Sequence, residues 1–342
     1  MIDLRSDTVT KPTPEMLQAM TNAPLGDDVL GDDSATRELE AKCAELTGKE
    51  ASIFVPSGTM GNQIALATHC KPGDLVILEA GSHIIHYEGG GPGIIAGVVT
   101  KTLLTEDGVM TPQQICESIT VQSDHTPGTS LICYENTHNR AGGSVIPLAV
   151  AQEYRTLADT HACMIHLDGA RIVNAAAALG CPVSEACRAA DSVMMCLSKG
   201  LGAPVGSILA GSRDFIQKAK YWRKRLGGGM RQSGVLAACG LVALRDILPQ
   251  IPLDHERAKR VAKGLSGIPG IHVEPDKTVT NMVMVHTTRP AAEWQTALRN
   301  HGVAALLPAS NRMRLVFHHQ ITDTMVPKII DALAAVSGEF GA

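Results

Sequence analysis

Two apolar runs in the chain each end in one ionisable residue that could do chemistry. MIHLD stops at Asp168, just before Gly169, and DSVMMCLS leads into Lys199 and the glycine-rich GLGAPVGS. A carboxylate at a strand end serves as a metal ligand, a general base or the partner of a ligand nitrogen. A lysine there is expected to be desolvated, which favours the neutral amine that attacks an aldehyde. A third run, ASIFVPSGT (Ala51–Thr59), passes directly into a helical stretch. Ser57, Gly58 and Thr59 then stand at a helix N-terminus, where free N–H groups and the positive end of the helix dipole suit a phosphate. Neither the Walker pattern nor G-x-G-x-x-G occurs there. Lysine, aspartate and phosphate cup together make the set that pyridoxal 5'-phosphate needs. The lysine supplies a Schiff base, the aspartate keeps the ring nitrogen protonated so that the ring accepts electrons, and the helix end takes the phosphate.

These residues must be positioned by a repeating framework. Strand-like runs occur at Ala51–Val55, Leu75–Leu78, Ile94–Val99, Ser130–Tyr134, Met164–Asp168, Ser192–Leu197 and Gly206–Ala210, with amphipathic stretches such as Gly61–His69 and Leu148–Thr160 between them. This alternation predicts an α/β fold with a mostly parallel seven-stranded sheet covered on both faces. After about Arg245 the texture changes to a charged helix (Asp254–Leu265), a Gly/Pro break (Gly267–Gly270) and then a β, β, α, β, β, α series. The expected division is an N-terminal arm (1–15), a large domain (16–247) that binds the cofactor, and a small C-terminal α/β domain (248–342).

Composition removes other classes. The 342 residues carry 30 Lys plus Arg against 34 Asp plus Glu, a net charge of −4, and only 3% are aromatic. Phosphate-backbone binding needs concentrated cations and base stacking needs aromatic platforms, so no nucleic-acid partner is expected. No apolar run is judged to reach the roughly 18 to 20 residues that cross a bilayer, and no membrane partner is expected. Met1 is followed by Asp3, Arg5 and Asp7 with no apolar run behind them, so no secretory leader is expected. The nine cysteines are scattered without a CxxC pair, which reads as reduced thiols in a cytoplasmic protein. No HxH, HExxH or clustered ligand set suggests a metal, and the neighbours His318 and His319 would point to opposite faces of a strand.

Longer motifs carry a resemblance. LRSDTVTKPT (Leu4–Thr13), GDDVLGDD (Gly26–Asp33), PSGTMGN (Pro56–Asn62), ENTHNRAGG (Glu135–Gly143), HLDGARIVNAA (His166–Ala176), CLSKGLGAPVGS (Cys196–Ser207), WRKRLGGGMRQSG (Trp222–Gly234) and RLVFHH (Arg314–His319) span nearly the whole chain. Together they resemble the low-specificity L-threonine aldolases, enzymes of the aspartate-aminotransferase-like fold, type I of the pyridoxal phosphate enzymes.

The resemblance implies a carbon-carbon lyase that cleaves L-threonine, L-allo-threonine and related β-hydroxy amino acids to glycine and an aldehyde. An aryl-preferring (phenylserine) aldolase and a β-eliminating lyase are the alternatives. Lys199 matches the Schiff-base lysine, Asp168 the partner of the ring nitrogen, Gly58 and Thr59 the phosphate cup, and His83 the imidazole stacked on the ring. Ser6, Arg171 and Arg314 match residues that hold the substrate carboxylate, a task suited to a guanidinium fork. Lys224 and Arg231 match residues near the cofactor phosphate or the site mouth. His125, ten residues before ENTHN, is the expected proton acceptor at the substrate hydroxyl or the group that holds an ordering water there, with His86 and Glu88 ranked after it as groups that reach the substrate side chain. A homodimer or homotetramer with its active site at the subunit interface is implied. The expected outcome for Lys199→Ala is loss of the visible absorbance of bound pyridoxal phosphate and of nearly all aldehyde release; a variant that keeps both refutes the assignment.

Overall fold

Runs of Val, Ile, Leu and Cys without alternation make strands buried on both faces, and such strands form the centre of this molecule. The computed structural model describes residues 1–341. A two-residue strand, β1 (Ile2–Asp3), opens the chain. The main sheet follows with β2 (Ala51–Val55), β3 (Leu75–Glu79), β4 (Val99–Leu103), β5 (Thr129–Glu135), β6 (Met164–Asp168), β7 (Ser192–Cys196) and β8 (Ser207–Gly211). Their spatial order is β2-β8-β7-β6-β5-β3-β4. All neighbours pair in parallel except β8, which is antiparallel to both β7 and β2. The mostly parallel seven-stranded sheet is as expected.

One of the seven expected strands is misplaced. Pro92–Ala96 forms a π-helical turn closed by Gly97, and the strand begins only at Val99. Ile94 is 82% exposed while Ile95 packs against the core, and a short apolar run cannot be assigned by periodicity alone. The true strand β4 is a sheet edge whose first four residues are exposed, and VTKTL carries no apolar signal.

Parallel pairing gathers the carboxyl ends of the strands along one edge. Glu79 ends β3, Glu135 ends β5 and Asp168 ends β6, with Glu135 and Asp168 as direct register partners. Lys199 follows just after β7. The helix Gly58–His69 begins at the expected Ser57–Thr59 end, where the Ser57 hydroxyl accepts from Met60 N at 3.2 Å and caps it. Gly206 closes the loop after Lys199 at φ +112, where an added Cβ would lie 2.3 Å from the Phe54 ring; only glycine fits.

The remaining elements build a second core. The charged helix starts at Ile251 and runs to Leu265. Strands β9 (Ile271–His272), β10 (Met282–Thr287), β11 (Val303–Ala304), β12 (Leu306–Ala309) and β13 (Arg312–Val316) follow, and the antiparallel order is β12-β13-β10-β9. β1 pairs in parallel with β11. Leu4 N donates to Ala304 O and Val316 N to Leu4 O, and the Leu4 side chain is buried with Trp294, Leu315 and Phe317. The N-terminal arm is therefore woven into the C-terminal unit.

Two further readings meet the structure here. The helical run Gly234–Leu265 does contain an 18-residue window of mean hydropathy 1.5, contrary to the expectation that no segment is so apolar. Half of that window is buried, with Ala237, Cys239, Val242 and Ile247 in the main core, so packing against the sheet accounts for its composition. All nine cysteines are free thiols and seven are buried. Burial pushes those of Cys43, Cys70 and Cys187 up to about 12, which makes them poor nucleophiles.

Leu4→Ala removes a fully buried side chain that ties the arm to the second core, and is expected to destabilise the protein by about 3 kcal/mol. The urea midpoint of unfolding is the measurement; a change under about 0.5 kcal/mol would show that the arm is not held by this contact.

Candidate functional site

The shared edge of the sheet brings most of the expected residues together. Asp168 is buried at the end of β6, where its Oδ2 accepts from Asn62 Nδ2 at 2.9 Å and its Oδ1 from Ala170 N at 3.2 Å. Lys199 is half-buried, and its side chain has no hydrogen-bond or ion-pair partner among the described residues. Its carbonyl accepts from Thr10 Oγ1 at 3.0 Å, which brings the N-terminal arm against it. The helix that begins at Gly58 packs on β6 and β7; a Cβ on Gly58 would meet Cys196 Sγ at 2.9 Å, so this helix end sits close above the sheet. The ring nitrogen of His83 and the carboxylates of Glu88 and Asp168 lie within 4.8 Å of one another.

The two arginines divide their work. Arg171 donates from Nε and Nη2 to the two oxygens of Asp7, both at 2.7 Å, and the pair is almost wholly withdrawn from water. Burial alone would raise the Asp7 carboxyl, but the charge and hydrogen bonds of Arg171 outweigh it and bring it down to about 2. Arg171 is thus already neutralised. Among the described residues Arg314 is buried without a carboxylate partner: its Nη1 donates to Asn139 Oδ1 at 2.7 Å, and its Nε has no partner. Burial, reinforced by the neighbouring Arg171 charge, lowers Arg314 to about 10. A buried guanidinium in this state calls for an anion. Ser6 lies next to Asp7, and its hydroxyl accepts from Thr8 N at 3.2 Å as the cap of a short 3-10 turn.

His83 is held from two sides. Its backbone N–H donates to Glu135 Oε2 at 2.7 Å, and its Nδ1 lies 2.9 Å from Glu88 Oε1. Burial would lower the His83 imidazole, but the Glu88 hydrogen bond and the charges of Asp168 and Glu88 raise it overall. Glu135 also accepts from Asn139 N at 2.8 Å, so one buried carboxylate places both His83 and the residue that braces Arg314. Burial and the charge of Asp168 push Glu135 above the usual carboxylate range.

The other expected residues lie further out or hold other partners. His125 lies in an exposed loop before β5, at the amino end of the strands, whereas Asp168 and Glu135 lie at their carboxyl ends. The length of β5, at about 3.3 Å per residue, keeps this histidine roughly 20 Å from the site within one chain. Glu88 does not reach outward: it is buried, accepts from Asn62 and Gln63, and backs His83. His86 is exposed and spends its Nε2 on Ala80 O at 2.8 Å. Lys224 and Arg231 are exposed on the segment beside the first turn of the Gly58 helix, where a Cβ on Gly228 would strike Met60 Sδ, and Arg231 pairs with Asp27 at 3.1 Å. A cavity of about 810 Å³ lies between the Arg140–Val145 loop and β10, and none of the expected site residues lines it.

Asp7, Asn62, Glu135 and Asn139 were not singled out in the sequence, although each lies inside a quoted motif. Their roles rest on partners far away in the chain, and no local pattern marks them.

Fold and site set the class first. The architecture is that of fold type I of the pyridoxal-phosphate-dependent enzymes. A solved structure of a Leishmania major threonine aldolase superposes with a TM-score of 0.85, covering 98% of this chain and 100% of that one at 19% identity, a likeness of fold. The chain belongs to the beta-eliminating lyase family, whose sequence profile matches residues 3–288, and within it to the low-specificity L-threonine aldolases. It is 48% identical to low-specificity L-threonine aldolase 1 of Arabidopsis thaliana, over 95% of this chain and 93% of that protein. It is 40% identical to the low specificity L-threonine aldolase of Escherichia coli (strain K12), over 96% and 97% respectively.

The Asp7–Arg171 pair predicts an acid limit. A carboxyl depressed from 3.8 to about 2 contributes stability that is fully present above its unfolded value and is lost as pH falls from there through about 2. The contribution is about 2 kcal/mol. Urea midpoints measured through that window should fall less in Asp7→Asn, which is already destabilised at neutral pH, than in the wild type; equal acid losses would remove the pair from the account.

Proposed function

We propose that this chain cleaves L-threonine and related β-hydroxy-α-amino acids between Cα and Cβ, giving glycine and an aldehyde, with pyridoxal phosphate as cofactor. The observation that carries the reading is Arg314, a buried guanidinium on β13 of the second sheet with an unpartnered Nε and no carboxylate of its own, which reaches Asn139 beside the carboxyl edge of the main sheet. An amino acid α-carboxylate would complete it. The threonine aldolase names of the relatives support the choice of substrate.

The residues present suit the cofactor. Lys199 has a free amine, Asp168 a carboxylate with room for another donor, and Ser57, Gly58 and Thr59 a helix N-terminus close to the sheet. These residues and His83 would hold it, with Lys224 and Arg231 at the mouth. Bound there, pyridoxal phosphate supplies an electron sink for the charge left on Cα when the bond breaks.

The chain's own groups do the rest. Arg314, braced by Asn139, orients the substrate by its carboxylate and so selects which bond at Cα is aligned for cleavage. Arg171, bound to Asp7, donates its remaining Nη1 to Asn139 Oδ1 at 3.4 Å and so helps to hold the side chain that braces Arg314. His83 Nδ1 donates to Glu88, which leaves Nε2 as the acceptor; this imidazole takes the proton from the β-hydroxyl. Within one chain it replaces His125, whose participation requires another copy.

We also propose a homo-oligomer that closes the site, either dimer or tetramer. Support comes from exposed apolar side chains, including Leu30, Tyr87, Ile94 and Tyr221. Nine free thiols suit a reducing compartment such as the cytoplasm.

The test is incubation of the protein with pyridoxal phosphate and L-threonine, followed by product analysis. Glycine and acetaldehyde support the reading, whereas a 2-keto acid and ammonia would move it to β-elimination. Arg314→Gln is expected to raise KM for L-threonine about a hundredfold while leaving cofactor affinity unchanged. An unchanged KM would refute Arg314 as the carboxylate site.

A further inference from the structure

We propose that His69, Ser192, His166 and Asn62 form a one-way hydrogen-bond relay whose every donor points towards Asp168, and that these four are positioning residues for that carboxylate. The inference rests on the reading above, in which Asp168 holds a proton on the cofactor ring.

The direction follows from the inner end. Asn62 stands between two buried carboxylates, which accept and do not donate when ionised; its Nδ2 donates to Asp168 Oδ2 at 2.9 Å and to Glu88 Oε1 at 2.8 Å. Its Oδ1 is then committed to accepting. That oxygen lies 3.0 Å from His166 Nε2, so Nε2 is the protonated nitrogen. A neutral His166 presents a bare Nδ1, 2.8 Å from Ser192 Oγ, and this spends the one hydroxyl proton. Ser192 Oγ must therefore accept from His69 Nε2, at 2.7 Å. Both imidazoles are fixed as Nε2–H tautomers. Burial keeps them neutral: it brings His166 down to about 4 against the pull of Asp168, and His69 down to about 3 with help from His166 and Lys218.

The fold supplies the spacing. Asn62 and His69 lie two turns apart on one helix, and His166 lies two residues before Asp168 on the same face of β6. Phe215 stacks on the His69 ring, with centroids 4.5 Å apart at 22°, and holds its plane. A buried polar chain is costly unless every member is satisfied, and this one is satisfied from end to end and terminates on a site carboxylate. Its donors fix the orientation of the Asp168 carboxylate beside those of Glu88 and Glu135.

The experiment reads imidazole nitrogen shifts of the 15N-histidine-labelled holoenzyme, with His69→Gln and His166→Asn used for assignment. Expected are neutral Nε2–H tautomers for both residues throughout the pH range of activity. Ser192→Ala cuts the relay in the middle without touching Asn62 or Asp168. It should leave His166 as the Nε2–H tautomer but move its Nδ1 shift through loss of the Ser192 donor, shift the pH at which the visible band of bound pyridoxal phosphate changes, and lower kcat about tenfold with KM unchanged. An Nδ1–H or doubly protonated His166 overturns the relay, as does a Ser192→Ala protein with unaltered nitrogen shifts and band. If Ser192→Ala does not fold, His69→Phe, which removes the donor to Ser192, carries the same two readouts. Because tautomers are read without turnover, a failed relay in an enzyme that cleaves threonine overturns the relay alone. An intact relay in a protein that makes no glycine overturns the proposed reaction alone.

Discussion

The buried pair of Asp7 and Arg171 is the contact on which the site depends. A carboxylate and a guanidinium, both removed from water and joined by two hydrogen bonds of 2.7 Å, link an arm built into the second core to the helix that follows β6. Such a pair adds little net stability over apolar packing, but leaving either partner alone is costly, so it dictates where the arm goes. It also decides the electrostatics. With Arg171 answered by Asp7, Arg314 is left as the buried cation in want of an anion, and two adjacent arginines become one structural group and one binding group.

The opposite charge is managed along the strand ends. Parallel pairing places Glu79, Glu135 and Asp168 on one edge, an arrangement of like charges that buried carboxylates do not tolerate unaided. Each is answered differently. Glu79 accepts from His138 Nε2 at 2.9 Å, Glu135 takes two backbone N–H groups, and Asp168 takes Asn62. The answers double as positioning, because the groups that satisfy Glu135 belong to His83 and Asn139. Site geometry and charge compensation are here the same set of hydrogen bonds.

The displacement of His125 follows from the same topology. Loops that enter parallel strands and loops that leave them lie on opposite edges of the sheet, so a residue just before β5 and one just after it are separated by the strand's length. Proximity in sequence to the ENTHN motif therefore does not bring His125 to the site of its own chain. The histidine that does lie at the site, His83, follows β3 and is backed by Glu88, which gives it both a fixed tautomer and a raised affinity for a proton.

The features legible in the sequence were those that local chemistry determines. Unbroken apolar runs marked six of the seven main strands, Ser57 marked a helix start, and Asp168 and Lys199 stood out because an ionisable residue at the end of a buried strand is unusual. The seventh strand, β4, was missed because an exposed edge needs no apolar pattern, and Ile94 misled because an apolar residue can sit on a solvent-facing turn. What only the tertiary structure decided was the pairing of groups distant in the chain: Asp7 with Arg171, Asn62 with Asp168, Glu135 with His83 and Asn139. A hydrogen bond or ion pair leaves no local periodicity behind it, and a polar residue's role is set by the partner that burial forces upon it.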